Sequence, residues 1–257
     1  MDKEAAARIL GEASDWQHIM SLETDKTIDV YFDVKSPHAY LAIRPTIEIM
    51  RDYKVHVNFV PYTLSYRTLG VSTSVEKDMK RRPESAAADR KARMYYAAAR
   101  EYAALQQLPF RSPYRLLDSE LSHKVFLRAK QQGVEVPYLM DVYVHGWGSG
   151  WREYEVESLD QLSGSLEAAG GNSEGLAEFV SAEGAGTQEL QELHDKAEAS
   201  GITGVPHYVF ADVEKGRDVG LFGREHLALL REKFGNEGLA RNGNVKPDFS
   251  HAWRGPV

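Results

Sequence analysis

Ser36 and Pro37 stand where an alternating run of residues gives way to a helical one, in the stretch YFDVKSPHAYLAI from Tyr31 to Ile43. Serine is a preferred N-cap and proline is favoured at the first helical position, so the pair fits a plain helix start. The same place offers chemistry. A helix N-terminus presents free N–H groups and the positive end of the helix dipole, and these stabilise an anion such as a thiolate. One serine can serve both ends. Lys35 sets a cation beside it, placed either to assist an anion or an acidic substrate or to reach into water. His38 is a candidate general acid or base, and also fits a residue lining a pocket or a helix surface. A hydrolytic triad of Ser36, His38 and Asp33 is a poor fit. The chain has no G-x-S-x-G turn, and a histidine two residues beyond the serine faces elsewhere on a helix.

Two further groups of residues carry weight. Gly204-Val205-Pro206 opens a second alternating run. Proline is tolerated at a strand start, and a trans bond is the base expectation for any X-Pro pair. A cis bond there would leave the Val205 backbone free to pair with an extended, peptide-like ligand. Trp147, in HGWGSGW, either lines an aromatic substrate pocket or closes a helix end in the core. The basic stretch KDMKRRPES, with Arg90, Lys91 and Arg93, is a solvated face or an entrance that steers carboxylates. No zinc-protease, Walker or dinucleotide motif is present, and no metal site is expected.

Composition narrows the classes. The chain of 257 residues has no cysteine, which removes disulfides, thiolate metal sites, cysteine nucleophiles and thiol–disulfide exchange by this chain. A cytoplasmic location fits that composition. The net charge of -7 disfavours nucleic acid as a partner. No apolar run approaches the ~20 residues that cross a bilayer, and the first residues lack the apolar core of an export signal.

The elements that must position these residues read as α/β. Ile28, Val30, Phe32 and Val34 alternate with polar or amphipathic neighbours, predicting a strand over 27–34 with one buried face. Helical spacing follows from Pro37 to about Lys54, and KVHVNFVPY predicts a second strand, completing a βαβ unit. VPHYVFADVEKGRDVGLFG predicts two strands about a turn at Glu214–Arg217, and REHLALLREKFG a final helix. Between them about 130 residues show helical segments and almost no strand pattern, too long a stretch to be loop. The order βαβ, helices, ββα is that of a thioredoxin-like fold interrupted by a large all-helical insertion. The expected organisation is an N-terminal extension (1–26), a thioredoxin-like domain (27–70 and 196–235), the helical insertion (71–195) and an extended C-terminal tail (236–257).

YFDVKSPHAYLA, LQQLPFRSPYRLLDSELSH, VYVHGWGSG, GITGVPHYVF and GLFGREHLALL, in this order, resemble the DsbA-like thioredoxin superfamily. The likeness is to its branch of 2-hydroxychromene-2-carboxylate isomerases and kappa-class glutathione transferases, over roughly residues 27–234. Redox members open the first helix with a Cys-x-x-Cys pair, where this chain has Ser36-Pro37-His38-Ala39. The resemblance therefore implies glutathione as cofactor, a small aromatic-derived or conjugated oxo acid as substrate, and a homodimer. It also implies that Ser36 donates to the glutathione sulfur, and that Val205 and Pro206 hold its cysteinyl part. The Phe222–His226 loop, with Arg224 and Glu225, would meet the γ-glutamyl end. The family commonly has Asp-Arg where this chain has Glu225-His226, and an apolar residue where it has Lys35. These departures keep two other readings open: a thioredoxin-fold protein that only binds, or an enzyme of this fold that does not use glutathione.

Overall fold

The computed structural model describes residues 13–65, 73–75, 81–83 and 85–245. Helix α1 (Ala13–Met20) precedes β1 (Lys26–Phe32), α2 (Pro37–Asp52) and β2 (Val55–Pro61), and β1 and β2 pair in parallel. Two short strands, β3 (Thr73–Val75) and β4 (Arg81–Pro83), form an antiparallel ladder of their own. Helices α3 (Ala86–Leu105), α4 (Glu120–Gln131) and α5 (Glu135–Tyr143) follow, the last running on as a π-helical turn (Val144–Ser149). Helices α6 (Leu159–Ala168), α7 (Leu176–Phe179) and α8 (Ala185–Ala199) lead to β5 (His207–Asp212) and β6 (Arg217–Phe222). A 3-10 turn (Arg224–His226) opens α9 (Leu227–Asn236). The main sheet has the order β2-β1-β5-β6, with β5 antiparallel to both neighbours.

Among the described residues the regular structure of the insertion is thus helical apart from the β3–β4 ladder. Three-residue strands are too short to show a two-residue period, and a ladder needs only backbone groups, so TSV and RRP carry no strand signal. The expected boundary at 196 falls inside α8. The boundary at 70 and the KDMK part of the basic stretch lie outside the described residues.

Strand β1 starts as the alternation predicts, with Ile28 and Val30 buried and Thr27 exposed. From Tyr31 to Val34 every residue is buried, because the strand end runs into the body of the protein, with helices packed about it. There Phe32 meets Phe126 of α4 with ring centroids 4.8 Å apart, so sheet and insertion share one core. Helix α2 carries Pro45, which has no N–H to give to the carbonyl of Leu41. The side-chain amide of Gln106, just past α3, donates to that carbonyl instead at 3.2 Å. The insertion thereby repairs the defect in the helix that Ser36 caps.

Both ends of the described residues are tied to the body. Trp16 of α1 is buried beneath the Arg44 guanidinium, 4.5 Å from its ring centre. After α9 the chain does not simply lie extended. Lys54 N–H donates to Leu239 C=O at 2.8 Å and Arg241 N–H to Asp52 C=O at 2.9 Å, which fastens the start of the tail to the α2–β2 joint.

Candidate functional site

The turn between β1 and α2 is built from groups that fix its backbone. Ser36 is the N-cap, and its Oγ accepts the Ala39 N–H at 3.3 Å. That leaves the hydroxyl proton to donate elsewhere. Ser36 N–H donates to Asp33 C=O at 3.0 Å. The fully buried Asp33 carboxylate accepts the Lys35 N–H at 3.0 Å and the Leu64 N–H at 2.8 Å, tying the turn to the loop after β2. The Lys35 ammonium lies 3.7 Å from it and His123 Nε2 lies 3.4 Å away. Burial works against the charged carboxylate. Lys35 and the Leu64 N–H outweigh burial and hold Asp33 well below the usual carboxylate range.

Val34, two residues before the cap, has both peptide groups held by the insertion. Its N–H donates to His123 Nε2 of α4 at 3.3 Å, and its C=O accepts from Trp147 Nε1 of the π-helical turn at 3.0 Å. The other nitrogen of His123 lies 2.7 Å from Thr63 Oγ1. Trp147 is a core residue and lines neither of the two cavities near the turn. It is fully buried, stacked on Tyr40 at 5.5 Å and on Phe110 at 5.0 Å. Replacing it with Phe is expected to lower stability by about 2 kcal/mol, from an unpaired Val34 carbonyl and lost packing. Urea unfolding of the variant measures this.

A cleft of about 410 Å³ opens over the turn. Ser36, Pro37 and His38 form one wall, and Leu64 with Met94, Tyr95 and Tyr96 of α3 another. Gly204-Val205-Pro206 and Phe222-Gly223-Arg224-Glu225 complete it. Six of the residues singled out in the sequence meet here: Ser36, His38, Val205, Pro206, Arg224 and Glu225. The Val205–Pro206 bond is cis. Among the described residues no hydrogen bond reaches the Val205 N–H or C=O, while Pro206 C=O accepts Gly223 N–H at 2.9 Å and joins the two loops. A Cβ on Gly204 would sit 2.7 Å from the Phe222 ring, so glycine lets that ring lie against the strand start.

Charge in the cleft is divided by depth. Arg224 is buried, its guanidinium 3.5 Å from the centre of the Tyr102 ring of α3. Burial lowers its pKa, yet arginine stays protonated. Glu225 is exposed at the rim, its carboxylate folded back over Gly223, whose φ of 113° suits glycine. His38 lies edge-on to Tyr95, and burial, with the nearby Arg224 charge, lowers its pKa from the ordinary histidine value. It is neutral at pH 7 and suited to lining the cleft.

Lys35 belongs elsewhere. Its side chain is buried against Asp33, neither in water nor in the cleft. It lines a second cavity of about 370 Å³ with Thr63, Asp118, Glu120, Gln191 and His194. The turn after β1 directs its ammonium toward Asp33, while Ser36 caps the helix at the cleft. Sequence reasoning missed Asp33 and His123 as determinants of the turn. Asp33 read as the polar face of a strand, and His123 lies 89 residues from Val34 in an ordinary amphipathic helix. Among the described residues no cluster of three or more His, Asp or Glu could hold a metal ion, and no helix is long and apolar enough to cross a membrane.

A family model, the DSBA-like thioredoxin domain, matches residues 27–235. A search of curated proteins finds no match. Among solved structures, a 2-hydroxychromene-2-carboxylate isomerase is similar with a TM-score of 0.61 at 19% identity, covering 82% of this chain and 96% of its own. A probable DsbA oxidoreductase from Streptomyces coelicolor gives 0.60 at 16% identity, covering 86% and 93%. The cytosolic disulfide reductase DsbM from Pseudomonas aeruginosa, solved with GSH, gives 0.51 at 15% identity, covering 82% and 97%. At such identities these likenesses speak to fold, and the four-stranded sheet with its helical insertion agrees with them. The family match spans most of the sequence, and the chain belongs to the DSBA-like thioredoxin domain family.

Proposed function

We propose that the cleft binds glutathione and that the protein is a glutathione-dependent isomerase or transferase for a small conjugated or aromatic-derived oxo acid. The observation that carries this is the meeting of the Ser36 hydroxyl, at a 16-residue helix N-terminus, with the unpaired Val205 backbone in one cleft of a chain without cysteine. When bound, glutathione supplies a thiolate nucleophile for a conjugated carbon, leaving again after isomerisation or staying after transfer. The chain's residues prepare that site. Ser36 donates its free hydroxyl proton toward the sulfur position, and the α2 N-terminus adds its dipole. The N–H and C=O of Val205 pair with the cysteinyl backbone as a strand edge would. Glu225 at the rim offers a carboxylate to the γ-glutamyl ammonium, and Arg224 stands behind it. Neutral His38 and the aromatic residues of α3 exclude water. The isomerase likeness and the glutathione in the DsbM structure support this reading, which takes the protein as a cytoplasmic homodimer.

Calorimetric titration of the wild type with glutathione, followed by thiolate absorbance against pH, tests it. Binding below millimolar concentration with the thiol pKa lowered by about one unit or more is expected. No binding at millimolar glutathione removes the proposal. Binding with an unchanged thiol pKa leaves a thioredoxin-fold protein that only binds.

A further inference from the structure

Three successive amides follow β2, and each is held by a different acceptor. Tyr62 N–H donates to Phe32 C=O at 2.8 Å, Thr63 N–H to His194 Nε2 of α8 at 2.7 Å, and Leu64 N–H to the Asp33 carboxylate at 2.8 Å. A carbonyl accepts at every pH, and Asp33 keeps its charge far below neutrality. His194 is the acceptor that a modest change of pH can remove, because a ring nitrogen accepts only while it carries no proton. Its ring is fixed in place, stacked on Tyr62 with centroids 4.8 Å apart. Thr63 is tied on a second side as well, its Oγ1 lying 2.7 Å from His123 Nδ1 of α4.

The segment held in this way is the partition between two cavities. Leu64 lines the cleft over Ser36, and it also lines the second cavity, where Thr63 and His194 stand beside it. His194 is half-buried and lines the second cavity only, so a proton reaches it from outside the cleft. The groups about its ring oppose one another. Burial and then His123 of α4 disfavour the charged ring, while Glu198 of α8, Asp33 beyond β1 and Glu120 of α4 favour it. Lys35 and Asp118 line the same cavity, and Tyr62 covers the ring face. Burial and His123 prevail, and the pKa falls below the ordinary histidine value, so His194 is neutral at pH 7 and accepts the Thr63 N–H. Protonation would set a donor against a donor. The middle amide of the three would lose its partner, next to the residue that forms the cleft wall.

We propose that His194 is a positioning residue for the cleft: its neutral ring latches the Tyr62–Leu64 segment, and its protonation in mild acid loosens the Leu64 wall and weakens ligand binding in the cleft. The inference rests on the glutathione reading for the identity of that ligand, while the latch itself needs none.

The first test follows amide hydrogen exchange by NMR in the wild type without glutathione. Protection of Thr63, corrected for intrinsic exchange, is expected to fall about tenfold or more between about pH 7.5 and 5, with a midpoint below about 6.5. Tyr62, on its carbonyl, should keep its protection. His194→Gln offers a side-chain oxygen that accepts without titrating, and should make Thr63 protection independent of pH. His194→Leu should leave Thr63 poorly protected throughout. Calorimetry with glutathione reads the consequence. Wild-type affinity should be about fivefold weaker at about pH 5.5 than at about pH 7, as one lost hydrogen bond implies. His194→Gln should remove that fall, and His194→Leu should bind weakly at both. Dependence that persists in His194→Gln belongs to other groups, such as His38 or the thiol. Constant Thr63 protection in the wild type, or the same pH dependence of binding in wild type and His194→Gln, would overturn the proposal. The wild-type exchange needs no variant to fold. The expected exchange without glutathione binding at any pH would sink the glutathione reading and leave the latch standing. Glutathione binding with constant Thr63 exchange would do the opposite.

Discussion

Asp33→Asn is expected to destabilise the protein by about 3 kcal/mol at pH 7, more than any other single change at the turn. Asparagine can accept one of the two backbone N–H groups that the carboxylate holds, but its amide must turn toward the other. It also removes the negative charge that Lys35 faces at 3.7 Å and His123 at 3.4 Å. Removing one member of a buried charge group costs about 3–5 kcal/mol. The lower end applies here because Lys35 retains another contact in the fold. For a chain of this size the melting temperature should fall by roughly 6–12 °C. The dependence on pH gives a sharper check. A carboxyl group whose folded pKa is depressed stabilises the fold above its unfolded value of about 3.9. That contribution is lost as pH falls toward the folded value. Since Asp33 lies well below the usual range, the gap between wild type and variant should be constant from pH 7 to about 5 and then close with acidification. A gap as wide at pH 3 as at pH 5 would show that Asp33 acts through shape and hydrogen bonding alone, because ionisation predicts that it has begun to narrow there.

What the sequence made legible was what neighbouring residues decide among themselves. The switch of period at Ser36-Pro37 located the β1–α2 joint, because alternation and helical spacing are properties of a few consecutive side chains. Leu227, Leu230 and Phe234 marked the buried face of α9 for the same reason. The cleft was legible at its two ends, Ser36 and Val205-Pro206, because proline and a capping residue leave a signature in the chain. Arg224 and Glu225 were found through a likeness of loops, which could not tell that one is buried and the other at the rim. The burial of Lys35 was not legible, and for Trp147 the sequence left core and pocket wall undecided. Each depends on partners brought close only by the packed insertion: Asp33 and the second cavity for Lys35, Val34 and Tyr40 for Trp147. An indole N–H that satisfies a carbonyl 113 residues away has no local pattern. The same holds for Gln106, which completes the helix at Pro45 from a different element.

Replacing Ser36 should separate its two roles, since cap and catalysis ask different things of one side chain. As a cap it must accept the Ala39 N–H, and aspartate does this as well as serine. As a thiolate partner it must donate a proton, which aspartate at neutral pH cannot do. Ser36→Ala loses both, and is expected to cost about 1 kcal/mol of stability and to raise the pKa of bound glutathione by one or two units. Each unit corresponds to ~1.4 kcal/mol, so activity at pH 7 should fall about 10- to 100-fold. Ser36→Thr keeps donor and acceptor and should stay within a few-fold of wild type unless its methyl group meets the ligand. Ser36→Asp is the decisive variant. It should melt at or above the wild-type temperature, because a carboxylate at a helix N-terminus is favourable, yet be the least active of the three, because that carboxylate repels a thiolate. If activity instead followed stability across alanine, threonine and aspartate, Ser36 would be a helix cap only, and the acidification of the thiol would have to come from the α2 N-terminus itself.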